Sequence, residues 1–178
     1  MQAARGTSLS SLSTPGSTSG SAVGLFTIVA VVALAVDQVT KVLAVRFLEG
    51  EPSVELIPGL LQLTFLRNAG AALGTGSSMT IVLTVLAIAV TIGVLRVATR
   101  LRDRGWAVGL GLLLSGAAGN LADRLFREPA PLRGRVVDFI DYGPFVGNVA
   151  DIALTLAAGI IIWRTFRGVG VDGSREKS

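Results

Sequence analysis

The chain has 178 residues, of which 51% are hydrophobic and only 16% charged, and its mean hydropathy is +0.65. About a quarter of a water-soluble domain is charged, so this composition points to an integral membrane protein. The chain has no cysteine and no histidine, which excludes disulfides, Cys- or His-ligated zinc, cysteine nucleophiles and a serine activated by histidine.

The net charge of +4 bears first on topology and on anionic lipid. The basic residues lack the aromatic interleaving of a nucleic-acid face, and no nucleic-acid partner is expected. Residues 1–22, "MQAARGTSLSSLSTPGSTSGSA", are rich in Ser, Gly and Thr. Such a segment cannot bury a core and reads as a disordered tail. It is a poor signal peptide, because its apolar run follows a long polar stretch and no cleavage motif closes it.

Four apolar segments follow, at about Val23–Val45, Met79–Leu95, Trp106–Ala122 and Phe145–Trp163. A bilayer core of about 30 Å takes about 20 helical residues, so the expected fold is mainly α, with four transmembrane helices over residues 23–168 and a short C-terminal tail at 169–178. Between the first two spans, "SVELIPGLLQLTFLRN" carries β-forming residues around Pro58-Gly59. That pattern predicts a hairpin or small sheet, a β-rich platform at the membrane surface.

The basic residues set the orientation. The link between spans two and three holds Arg96, Arg100, Arg102 and Arg104, and the C-terminal end holds Arg164, Arg167, Arg175 and Lys177. With Arg5 these fall on one side. Arg46, Arg67, Arg124, Arg127, Arg133 and Arg135 fall on the other. The positive-inside rule then favours cytoplasmic termini.

Ionisable residues within spans are costly and mark functional positions by default. Asp37 follows only 13 uncharged residues from Gly24, roughly 20 Å of helix, so it lies at membrane depth. Lys41 is one turn on, where an ion pair would neutralise both. The third span ends "SGAAGNLADRL": Gly116 and Gly119 suit close helix packing, while a buried Asn120 or Arg124 would need partners. Asp123 adjoins Arg124. In "RGRVVDFIDY" the apolar neighbours of Asp138 suggest a half-buried strand and a raised pKa; Asp141 reads as a solvated neighbour or cap. Asp151 opens the last span, with no basic residue within a turn. With the termini inside, Asp37, Asn68, Asp123, Asp138, Asn148 and Asp151 all collect at the outer end. Acids without an adjacent base must share a proton, which singles out Asp138 and Asp151 as a general acid–base pair for hydrolysis.

The stretches "DQVTK" (37–41), "NAGAALG" (68–74), "GNLADR" (119–124), "VVDFID" (136–141) and "NVADIA" (148–153), in this order on four spans, resemble the lipoprotein signal peptidases, or signal peptidase II. The resemblance implies an intramembrane aspartic endopeptidase of the bacterial cytoplasmic membrane, with its active site near the outer leaflet. Such an enzyme cleaves prolipoproteins just before a cysteine already carrying diacylglyceryl. It implies Asp138 and Asp151 as catalytic residues, and Asp37, Lys41, Asn68, Gly70, Asn120, Asp123, Arg124, Asn148 and Ala150 as substrate-binding or supporting ones. It calls for no metal and no cofactor. The expected partners are the lipid-modified substrates and membrane lipids, and the chain is expected to act as a monomer. Two departures stand out: Gly147 precedes Asn148 where the family commonly has an aromatic, and the Asp138–Asp151 segment is short. The rival readings are a small proton-coupled transporter or channel, and a non-catalytic assembly factor. Polar groups crowded at one end, rather than at the midplane, argue against a transporter.

Overall fold

In the computed structural model, residues 18–70, 77–129 and 131–175 are described. Four helices and a four-stranded antiparallel sheet alternate along the chain: α1 (Thr18–Leu48), β1 (Val54–Ile57), β2 (Leu61–Asn68), α2 (Ser77–Ala98), α3 (Arg104–Phe126), β3 (Val136–Asp141), β4 (Val146–Gly147) and α4 (Val149–Phe166). All four helices are long and apolar enough to cross a membrane. Their exposed faces are apolar: Ile28, Val31, Val32, Val39 and Val42 on α1 and Val82, Val85 and Leu86 on α2 all lie open. Water would penalise such a surface; hydrocarbon accepts it, and the helices satisfy their own backbone groups there.

The first helix starts at Thr18, so residues 18–22 of the expected disordered tail belong to α1. Ala22 is fully buried in a cluster with Phe26, Val94, Leu101, Ala107 and Leu110, and that burial draws the helix back into the polar segment. The rest of the expected tail lies outside the described residues.

Helix α3 is the hub, in contact with α1, α2 and α4. Its glycines make this possible, because a helix without side chains on one stripe lets a neighbour's backbone approach. A Cβ at Gly111 would lie 2.9 Å from Phe26 O, and one at Gly116 would lie 2.7 Å from Ala150 O. Gly119 faces the Asp37 carboxylate too closely for any side chain. The packing role expected for Gly116 and Gly119 is what the structure shows.

The sheet caps one end of the bundle. Its first hairpin turns at Pro58-Gly59, with Gly59 at φ 68°. Strands β2 and β3 pair with Asn68 opposite Val136 and Leu66 opposite Asp138. A second reversal, Tyr142-Gly143-Pro144-Phe145, returns the chain to β4 and straight into α4; Gly143 takes φ 87°. Thr84 on α2 ties this end together, its Oγ1 donating to Leu132 O at 3.0 Å.

At the opposite end the described part of the C-terminal segment, up to Arg175, folds back on the link between α2 and α3. Val171 O accepts from Arg102 N and Asp103 N at 3.0 and 3.2 Å, and Trp106 Nε1 donates to Val169 O at 2.7 Å. Asp103 caps α3 by accepting from Trp106 N and also pairs with Arg164. The link between α2 and α3, which holds Arg100 and Arg102 and is flanked by Arg96 and Arg104, is thereby stapled, with Leu101 buried in it.

Candidate active site

The polar residues nominated from sequence come together where the sheet meets the bundle, in two tiers. The lower tier is a buried ionic lock. Lys41 Nζ lies 3.0 Å from Asp37 Oδ2, 2.9 Å from Asp123 Oδ2 and 3.0 Å from Asn120 Oδ1. An ammonium has three N–H groups, and each has an acceptor. The exposures of Lys41, Asp37 and Asp123 are 0%, 1% and 1%, so these charges are held by one another, not by water. The expected Asp37–Lys41 pair forms and is joined by a second carboxylate.

Each acid in the lock also holds a neighbouring element. Asp37 Oδ1 accepts from Ala150 N at 2.8 Å. That N–H is one of the donors a helix start leaves without an intrahelical partner, so α1 caps α4 across the bundle. Asp123 Oδ1 accepts from Arg127 Nε at 2.7 Å and its Oδ2 from Val137 N at 3.2 Å, anchoring β3. Gly134 passes against the last carbonyls of α3, where a Cβ would lie 2.7 Å from Arg127 O.

Asp123 and Arg124 do not pair with each other. Consecutive helical residues point to different faces: Asp123 faces α1, and Arg124 faces a groove between α2, α3 and α4. Arg124 Nη1 donates to Asn120 O at 3.0 Å, and its buried Nε has no partner among the described residues.

The upper tier holds Asp138 and Asp151. Asp138, 2% exposed, sits mid-strand and receives Asn68 Nδ2 at 2.7 Å and Asn148 Nδ2 at 2.6 Å. Asn68 reaches it diagonally across the β2–β3 pair, two positions from its direct partner, on the same face of the sheet. Asn68 Oδ1 accepts from Gly70 N at 2.7 Å, which turns the amide N–H toward Asp138. Gly70 takes φ 95°, a conformation side chains disfavour.

Asp151 occupies the first turn of α4. Its Oδ2 accepts from Asn148 N at 3.1 Å, and Asn148 Oδ1 accepts from Asp151 N at 3.1 Å. This reciprocal pair is a capping box in which Asn and Asp stand for the usual Ser and Glu. Asp151 Oδ1 accepts from Asn120 Nδ2 at 3.0 Å. Asn148 therefore bonds both acids, and Asn120 bonds Asp151 and Lys41. Burial pushes the Asp138 carboxyl up to about 6; the Asn68 and Asn148 amides oppose the rise, Asp151 adds to it, and Lys41 opposes it.

A groove of about 380 Å³ leads to this tier, walled by Leu83, Leu86, Val90, Leu113 and Leu154 and headed by Asn120, Arg124 and Asp151. Its apolar length and polar head suit an extended or helical chain with a peptide group at the top. Asp141 stands aside as a turn residue, its carboxylate accepting from Gln62 Nε2 and Gly143 N, both at 2.8 Å.

Sequence reasoning missed Gln38, Arg127 and Gly134. Arg127 had a signal, its i,i+4 spacing from Asp123. Gln38, which donates to Asp37 Oδ2 at 3.0 Å, and Gly134 had none.

The profile of the family described as signal peptidase (SPase) II matches residues 29–167. The lipoprotein signal peptidase of Rhodococcus jostii (strain RHA1) is 44% identical over 153 residues, 85% of this chain and 77% of that protein. That of Mycobacterium leprae (strain Br4923) is 46% identical over 145 residues, 81% and 72% of the two chains. A bacterial membrane enzyme solved by the in meso method at 1.9 Å resolution superposes with a TM-score of 0.71 at 32% identity, covering 81% of this chain and 94% of its own. A match this long, at this identity and on the same four-helix frame, is that of a family member: the chain belongs to the signal peptidase II family.

Proposed function

We propose that this protein is an intramembrane aspartic endopeptidase that removes the signal peptide from diacylglyceryl-modified prolipoproteins, cutting before the lipidated cysteine. Membership of the signal peptidase II family supports the substrate class. The observation that carries the chemistry is Asn148, whose side-chain amide donates to Asp138 and whose backbone N–H donates to Asp151. Two acids held by one residue, with Asp151 at the head of an apolar groove and Asp138 buried behind it, form a working pair for hydrolysis in a chain without His or Cys.

Asp138 is the partner that holds the proton, since burial favours its neutral form. Asp151 takes a proton from water as the water oxygen adds to the scissile carbonyl carbon, and Asp138 gives its proton to the carbonyl oxygen. The resulting diol collapses as Asp151 returns its proton to the leaving nitrogen, the C–N bond breaks, and a diol hydroxyl gives its proton back to Asp138. Atoms and charge balance with no further reactant. Arg124, with its unpartnered Nε at the groove, binds a substrate backbone carbonyl; Asn120 and Asn148 orient the dyad; the lock below holds the elements in place.

The test is cleavage of a purified diacylglyceryl-modified prolipoprotein by Asp138→Asn and Asp151→Asn variants. Each is expected to lose about 10²–10⁴-fold in rate, the range for losing a positioned acid or base. Wild-type-like cleavage by either variant overturns the dyad.

A further inference from the structure

The far end of the molecule holds a second cavity, of about 660 Å³, between the last turns of α2 and the folded-back C-terminal segment, lined by Arg96, Val97, Thr99, Arg100, Val171 and Asp172. Arg96 lies in the last turn of α2 and Arg100 in the turn that follows it, and both line the cavity. Neither guanidinium has an acceptor among the described residues. The neighbouring arginines are committed elsewhere: Arg164 to Asp103, Arg104 to Ser21 at 3.2 Å, and Arg167 over the Trp163 ring. The acid on the rim, Asp172, keeps its charge and is turned toward its own loop by Oδ1, which accepts from Ser174 N and Oγ at 3.0 and 2.6 Å, so that the two arginines outnumber it in the lining.

We propose that this cavity binds the phosphate headgroup of an anionic phospholipid. The two arginines supply the charge and the forked donors that match phosphate oxygens. Val97 and Val171 wall the space with hydrocarbon, which suits the glycerol end of a lipid. The acyl chains have a path, because Ile92 and Leu95, the residues preceding Arg96 on α2, are exposed and apolar, as are Val85 and Leu86 further along. Basic pockets at helix ends, level with the headgroups, are the places where anionic lipids bind specifically. The headgroup bridges α2 to the C-terminal segment, which reaches α3 through Arg102 and Asp103.

The purified full chain in phosphatidylcholine nanodiscs is titrated with phosphatidylglycerol, and retained lipid is counted by native mass spectrometry. Phosphatidylglycerol is expected to be retained in preference to phosphatidylcholine. Arg96→Gln and Arg100→Gln are each expected to weaken it about fivefold, the factor for one basic residue near an anionic surface. The charge-matched Arg46→Gln, at the other end of α1, is expected to leave retention unchanged; an equal loss there shows unspecific attraction and overturns the site. Displacement by excess inorganic phosphate makes free phosphate the ligand and overturns the lipid. A photoreactive phosphatidylglycerol tests the wild type directly: adducts at 96–100 and 171–172 support the proposal, and adducts confined to other segments overturn it.

Discussion

At the residue scale, burial of charge decides the behaviour of the site. Lys41→Met leaves two buried carboxylates without their shared cation. Removing one partner of a buried ionic network costs about 3–5 kcal/mol, so unfolding in detergent should show a loss of that order, whereas Arg67→Gln, which breaks a half-exposed pair with Glu49, should cost about 0–1 kcal/mol. A Lys41→Met protein as stable as wild type would show the lock to be dispensable. Asp138 has the opposite character. Its folded carboxyl titrates at about 6 against an ordinary 3.8, so the folded state holds the proton more tightly than the unfolded one. The stability this contributes is complete below about 3.8 and is lost as pH rises through about 6. Asp138→Asn cannot ionise. Its stability relative to wild type should therefore be higher at pH 7 than at pH 4, by at most about 3 kcal/mol; a pH-independent difference between the two proteins contradicts the assignment. Gly147 sets the geometry around Asp151: a Cβ there would lie 3.0 Å from Asp151 Oδ2 and 3.2 Å from Phe145 Cε2. The Phe145 ring, 5.0 Å from that of Tyr142, already stands over the place where a side chain at 147 would go. Gly147→Phe should thus displace Asp151 or Phe145 and slow cleavage at least about tenfold, a rise of about 1.4 kcal/mol in the barrier, with KM less affected than kcat. Undiminished kcat would mean that the pocket yields freely. The odd glycine was legible in the sequence; the ring above it was not, because only the two-residue reversal at Gly143-Pro144 brings Phe145 back over it.

At the element scale, what the sequence disclosed follows from periodicity and length. Four apolar runs, a turn at Pro58-Gly59 and a strand around Asp138 all carry local signals, and all are present. What stayed hidden are the specific bonds that join one element to another: the capping of α4 by Asp37, the anchoring of β3 by Asp123, and the fold-back of Val169–Arg175. A carboxylate capping a helix 113 positions away leaves no mark on spacing. Arg124 shows the opposite failure, since adjacency to Asp123 suggested a pair that helical geometry forbids. The α3 hub can be tested through its glycines. Gly116→Leu must displace Ala150 O and the Leu154 side chain, and overpacking of this kind costs about 1–3 kcal/mol. Because Ala150 lies next to Asp151, activity should fall further than the stability loss accounts for. The measurement is residual cleavage at a temperature where the variant remains fully folded. Full activity there would separate helix packing from the dyad.

At the scale of the whole molecule, the arrangement is two-ended. One end gathers the sheet, the ionic lock and the two acids; the other gathers the stapled arginine link and the C-terminal segment. We infer that the arginine end faces the cytoplasm. Arg96, Arg100, Arg102 and Arg104 lie within nine residues, and a short basic link of this kind is what insertion machinery retains inside. The acids then meet the outer leaflet, where a substrate whose lipid remains in the bilayer can present its peptide bond to water. The chain has no native cysteine, so single replacements report sidedness cleanly. Ser53→Cys lies beside the first hairpin, and Thr99→Cys lies in the arginine link; both positions are exposed. In intact cells with a permeable outer layer, a membrane-impermeant maleimide should label Ser53→Cys, and should label Thr99→Cys only after lysis. The reverse pattern would put the dyad at the cytoplasmic face, where a signal peptide emerging through the membrane would carry its cleavage site away from the acids, and the proposed reaction would lose its access to substrate.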